Sequence, residues 1–106
     1  MITIKVRKKN GTYEEFISSG HAGYAESGQD IVCAAVSALI ITTVNSLDKF
    51  TEDEFQLKED DGFVSIRFKN VLSEKGNLLM DSLLLGLTEI AGSYNNRYLT
   101  VKVKEV

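Results

Sequence analysis

Residues 20–39 read GHAGYAESGQDIVCAAVSAL, and the rhythm of the chain changes inside them. Before this stretch Ile2, Ile4 and Val6 alternate with Thr3, Lys5 and Arg7, the period of a half-buried strand. Asn10-Gly11 is a favoured two-residue hairpin turn, so residues 12–18 are expected to return antiparallel and to deliver Gly20 and His21 to the strand's end. The inward face of that second strand is ambiguous, because Tyr13 and Ile17 fall on one side and Phe16 on the other. From Asp30 onward the period is helical. Val32, Val36, Leu39, Thr43 and Ser46 trace one side, while Cys33, Val36, Ile40, Val44 and Leu47 trace another. A helix with so little polar face is packed on more than one side, by a sheet and by a second helix or subunit.

Outward from there the same two periods recur. Phe55 and Leu57 alternate with Gln56 and Lys58, Asp60-Asp61-Gly62 supplies a turn, and Val64, Ile66 and Phe68 alternate again. Leu79, Leu83, Leu87, Ile90 and Tyr94 mark a second helix from near Asn77 to about Ser93. Gly86 within it costs roughly 1 kcal/mol relative to alanine, which points to close packing on a neighbour. Leu99, Val101 and Val103 close the chain in a strand. The order β-β-α-β-β-α-β fits an α+β fold, a two-layer sandwich with a mostly antiparallel sheet and two helices, in one domain over residues 1–106.

The opening stretch also holds the only histidine and the only cysteine of the chain, His21 and Cys33. Asp30 stands where an N-cap belongs, its carboxylate accepting from backbone N–H groups two or three residues on. Cys33 then lies in the first helical turn, where unsatisfied N–H groups and the positive end of the helix dipole favour a thiolate and can receive an oxyanion. If the loop of residues 22–29 folds back, His21 reaches the sulfur as its proton acceptor. The composition equally fits a structural reading, with Cys33 a small core hydrophobe and His21 a loop residue. Ser37 shares the cysteine's face one turn on, and fits either site lining or a hydroxyl bonded back to the carbonyl four residues earlier. Asp30 is an N-cap, an orienting partner for His21, or both.

Gly20-His21-Ala22, Gly28, and Asp30-Ile31-Val32-Cys33-Ala34-Ala35-Val36-Ser37-Ala38 together resemble the signature of the bacterial ribosomal-processing cysteine proteases, the Prp family. The likeness extends through Val44-Asn45 and Ser82-Leu83-Leu84-Leu85-Gly86-Leu87. It implies a two-layer α+β fold, a homodimer, and a cysteine endopeptidase with His21 as base and Cys33 as nucleophile. The substrate it implies is the N-terminal extension of large-subunit ribosomal protein number twenty-seven, cut after a small residue in a motif of aromatic and aliphatic side chains. Two other readings stay open: a ribosome-assembly or peptide-binding module with a structural Cys33, and a thiol hydrolase of small esters.

Further expectations follow from composition. Twelve basic against fifteen acidic residues, net −3, argue against nonspecific nucleic-acid binding, and the run Lys5, Arg7, Lys8, Lys9 reads as a solvated edge. One histidine and one cysteine are too few for a zinc site, so no metal and no cofactor are expected, and turn chemistry accounts for Asp60 and Asp61. A single cysteine and the lack of a signal-peptide pattern favour a reducing cytoplasm. Thr42, Thr43 and Asn45 interrupt the longest apolar run, so no membrane span is expected. Finally, Gly23 and Gly28 bracket a loop whose only large apolar side chain is Tyr24, the content of a substrate loop that closes over a bound peptide.

Overall fold

The computed structural model describes residues 1–26 and 28–106. Its elements are β1 (Ile2–Lys9), β2 (Thr12–Ser19), α1 (Ile31–Phe50), β3 (Phe55–Asp60), β4 (Phe63–Phe68), α2 (Glu74–Ser93) and β5 (Leu99–Glu105). The five strands form one sheet in the order β3-β4-β2-β1-β5. Three pairings are antiparallel; β5 alone joins β1 in parallel, because α2 carries the chain across the sheet before it. The expected α+β class and element order are those observed.

Asn10 and Gly11 take φ 53° and 77°, the double positive pair that lets a two-residue turn match the twist of its strands. The ambiguous face of β2 is resolved by a bulge. Arg7 pairs with Glu15 but Lys8 with Tyr13, so Glu14 is the extra residue and the alternation changes phase there. Tyr13, Phe16 and Ser18 consequently all face inward, and Ile17 faces out.

Both helices cover one face of the sheet. Val32, Val36, Ile40, Thr43 and Leu47 of α1 and Met80, Leu83, Leu84, Leu87 and Ala91 of α2 bury against Ile4, Val6, Phe16 and Ile66. The inward stripe of α2 therefore runs through Met80 and Leu84, while Leu79 and Ile90 are only half-buried. Gly86 sits where α2 meets α1: a Cβ there would lie 2.9 Å from a methyl of Leu39, which accounts for glycine inside a helix. α2 begins at Glu74, three residues before the start expected from apolar spacing, because Ser73 caps it by accepting from Gly76 N–H at 3.0 Å. Asp53 holds that cap in turn, taking the Ser73 hydroxyl at 2.6 Å.

Two expectations change. β1 is an interior strand between β2 and β5, so its basic residues do not line an edge. α1 is 20 residues long and apolar enough by length and composition to cross a membrane, since Thr42, Thr43 and Asn45 are uncharged and do not interrupt it; here it is a helix docked on the sheet.

Candidate active site

Asp30 organises the start of α1 with both carboxylate oxygens. Oδ1 accepts from the backbone N–H groups of Val32 and Cys33, each at 3.0 Å, as an N-cap does. Oδ2 turns the other way and accepts from Tyr24 N–H at 3.1 Å and Ala25 N–H at 3.4 Å. Burial alone would raise this carboxyl, but the backbone donors of Cys33, Ala25 and Tyr24 outweigh it and hold the group below the usual aspartate range. The expectation that Asp30 is a cap is met, and the same side chain also fastens the preceding loop. One part of the sequence reading fails here: the N–H groups of Val32 and Cys33 are already engaged by Asp30, so they are not free to receive an oxyanion.

The loop folds back onto the start of α1 through Ala22, Tyr24 and Ala25; Ser27 within it lies outside the described residues. Ala22 is buried and its N–H donates to the Cys33 sulfur at 3.3 Å. Gly23 and Gly28 have φ 73° and 86°, backbone that glycine adopts without strain. Tyr24 packs edge-on against Tyr94 and Tyr98, with ring centroids 5.6 and 5.2 Å away. The anchor that the sequence reading left for a substrate is thus occupied by aromatic rings of the chain itself, worth about 1 kcal/mol per such pair.

His21 follows β2 and projects toward the β3–β4 turn. Gly20 N–H donates to Gly62 C=O at 2.8 Å, tying the two segments together. The imidazole lies directly over Gly62: a Cβ on that residue would stand 2.7 Å from Nε2, and its φ of 64° favours glycine independently. Nε2 is 3.8 Å from the Asp61 carboxylate, a pair open to water, with His21 65% and Asp61 94% exposed. Asp61 and Gly62 are site residues that the sequence reading assigned to turn chemistry alone. A turn signal between two strands carries no record of what the turn faces, so the sequence offered no means of finding them.

Two clefts meet at this point. One, of about 300 Å³, runs between α1 and the end of the sheet and has an apolar wall of Val36, Ile40, Ile41, Val44, Phe63 and Val64. The other, of about 620 Å³, is floored by the loop and the start of α1, with Gly23, Gly28, Gln29 and Asp30. His21, Cys33, Ser37 and Asp61 line both. The half-buried thiol and the exposed imidazole therefore stand where the two clefts meet in a trough lined by apolar and polar groups together.

Known proteins share this fold. The family model described as cysteine protease Prp matches residues 1–99. Ribosomal processing cysteine protease Prp of Staphylococcus aureus is 32% identical over 98 residues, covering 90% of this chain and 92% of that protein. The Bacillus subtilis protein of the same name is 32% identical over 87 residues, 76% of this chain and 78% of its own. Among solved structures, S. aureus Prp with a covalently linked product peptide superposes with a TM-score of 0.93 at 30% identity, over 98% of this chain and all of that one. The same protease with a substrate peptide gives 0.86 at 28% identity, over the same shares of the two chains. With the family profile spanning nearly the whole length and the fold held in common, the chain belongs to the Prp family of ribosomal-processing cysteine proteases.

Proposed function

We propose that this chain cleaves a peptide bond with Cys33 as nucleophile and His21 as general base. The observation that carries this reading is the position of both side chains on the shared wall of two clefts, where an extended peptide passing through both presents its scissile carbonyl to the sulfur. With Nε2 turned to Asp61, the Nδ1 side of the imidazole is left to take the thiol proton. The thiolate attacks the carbonyl carbon, and the resulting tetrahedral oxyanion collapses as the amine leaves with the proton from the imidazolium. Water, deprotonated by His21, then hydrolyses the thioester and returns the free thiol. The Ala22 N–H, aimed at the sulfur, is the donor best placed to steady negative charge there, since the N–H groups of Val32 and Cys33 are held by Asp30.

The proposed substrate is the N-terminal extension of large-subunit ribosomal protein number twenty-seven, processed in the cytoplasm. The S. aureus relative's binding of a peptide and the apolar cleft, suited to aromatic and aliphatic side chains, support it. A homodimer is supported by apolar residues left open on the helices, Ile41 at 57%, Leu78 at 67% and Leu85 at 65% exposed. Mass spectrometry of the extended ribosomal precursor, incubated with wild type and with Cys33→Ala, tests the activity. Wild type should shorten the precursor at one bond and the variant should leave it intact; equal shortening by a folded Cys33→Ala protein refutes the assignment.

The alternative, a binding module in which Cys33 is structural, draws on the same Ala22 contact to the sulfur. Iodoacetamide separates the two. A nucleophile at the junction of two clefts alkylates in the native protein, whereas a structural thiol waits for unfolding.

A further inference from the structure

The face of the sheet away from the helices carries a charge pattern that the peptidase reading leaves unused. Lys5 pairs across the parallel ladder with Lys102, and Arg7 with Lys104. These four side chains line a shallow depression of about 260 Å³ on the open sheet face. Strand register carries the pattern further. The row of Lys5 continues through Ile17 and Ser65 to Lys58, and the row of Arg7 continues through Glu15 to Arg67. Half of the chain's 12 basic residues therefore stand in two adjacent rows, interrupted by one carboxylate, Glu15, in a protein whose net charge is −3. Net charge is an average, and it conceals this face.

Like charges directly opposite on neighbouring strands cost stability. Lysine on the exposed edge strand β5 would be ordinary protection against edge pairing, but Lys5 and Arg7 lie on an interior strand and have no edge to protect. Glu14 lies 3.2 Å from Arg7 and Glu15 3.9 Å from Arg67, so two of the six cations are paired with carboxylates and cationic charge remains in excess. We infer that this face binds the phosphodiester backbone of RNA. With strands about 4.8 Å apart, Lys5, Arg7, Lys102 and Lys104 form a compact cationic cluster on β1 and β5, and Arg67 and Lys58 extend it beyond β2, a spacing suited to a run of phosphates. The two rows hold no aromatic residue for base stacking, so contact is with the backbone and independent of sequence. They also hold no large exposed apolar side chain of the sort that would enter a lipid surface. The row nearest the cleft runs from Thr100 through Thr3, Ser19 and Phe63 to Asp60 and holds no cation, so RNA on this face leaves the cleft open.

The inference goes beyond the peptidase reading and stands independently of it, because the test reads binding without cleavage. Fluorescence anisotropy with a labelled 20-nucleotide polyuridylate and the full chain should show affinity falling about 50-fold between 50 and 200 mM salt, the slope for about four neutralised phosphates on a single strand. Lys5→Gln with Lys102→Gln should weaken binding at least about tenfold at 50 mM salt and flatten the slope by about 1.4, the share of two phosphates. Lys49→Gln with Lys75→Gln on the helical side makes the same change in net charge and should alter affinity less than about twofold. Circular dichroism confirms that each variant is folded. No binding at 50 mM salt, an equal loss in the helical-side control, or tighter binding to phosphatidylglycerol vesicles or polyglutamate than to the RNA overturns the inference.

Discussion

The two walls of the trough, one carrying the proposed nucleophile Cys33 and the other the proposed base His21, are held by different physics. On the nucleophile's side, Asp30 gathers four backbone N–H groups, two from the helix and two from the loop, while Tyr24 is wedged against Tyr94 and Tyr98. On the base's side, His21 rests on a two-residue turn of a hairpin whose outer strand β3 is the sheet edge and is largely exposed. What fixes the ring there is steric fit over Gly62 and one backbone hydrogen bond, helped by a solvent-screened carboxylate. Charge-assisted bonds to backbone resist displacement; a screened surface pair contributes under about 1 kcal/mol. Cys33 is therefore built in and His21 is leaned against its support, so side-chain changes on the two walls should fail in different ways.

Removing the reacting groups gives the largest effect. Cys33→Ser should reduce kcat on the scale of roughly 10⁶ seen when a nucleophile is lost, and His21→Ala by at least about 10², with thermal unfolding near wild type for both. If His21→Ala retains full turnover in the precursor assay, the imidazole has no chemical role and the comparison of walls collapses.

Gly62→Ala probes the base's side without touching a reacting group. A Cβ 2.7 Å from Nε2 displaces the ring, and a positive φ costs alanine about 1 kcal/mol. Turnover should drop at least about tenfold while hydrogen-exchange protection of the Val32 and Cys33 amides at the helix start stays at the wild-type level. Parallel loss of both would mean that the turn supports the nucleophile too.

Asp30→Asn tests the nucleophile's side. Asparagine caps a helix about as well as aspartate, so a cap alone predicts a change of a few tenths of a kcal/mol. The second oxygen alters that expectation: an Asn amide nitrogen would face the N–H groups of Tyr24 and Ala25, donor against donor, and about 1 kcal/mol should be lost in chemical denaturation. The pH dependence has a definite sign. Because the folded-state carboxyl titrates below its ordinary value, its contribution is complete above the ordinary aspartate range and disappears as acidification passes through the lower folded value. Wild type should lose stability over that acidic window more steeply than Asp30→Asn; identical acid profiles would reduce Asp30 to a simple cap.

The smallest effect belongs to Asp61→Asn. With 94% of its side chain in solvent, Asp61 should matter less than about fivefold in kcat/KM, with stability unchanged and the difference shrinking as salt is added. A large, salt-insensitive loss would promote it to an essential orienting group.

How much of this was legible depended on whether the cause was local. Alternation in residues 2–7, the Asn10-Gly11 turn and the apolar period after Asp30 are properties of neighbouring residues, and they yielded the element order and the cap. Local reasoning failed by one residue at Glu14, where a bulge changes the phase of β2, and by three at the start of α2, where the Ser73 cap outreaches the apolar stripe. The candidate pair, His21 and Cys33, was legible because each is the sole residue of its kind and the stretch containing them has a distinctive pattern.

Everything that joins segments distant in the chain was decided only by the tertiary structure. Asp61 and Gly62 reach His21 because β4 pairs with β2, 40 and more residues away in sequence, and that pairing follows from burial of both inner faces rather than from any local preference. Lys102 and Lys104 meet Lys5 and Arg7 because α2 crosses the sheet and lays β5 parallel to β1. Sequence alone determined which segments are strands and helices and which two side chains are chemically distinctive, since period, capping and turn preference act over a few bonds. The fold determined which strand is interior, what supports the imidazole and where cationic charge accumulates, since hydrophobic burial is nondirectional and only the closed sheet sets neighbours across it.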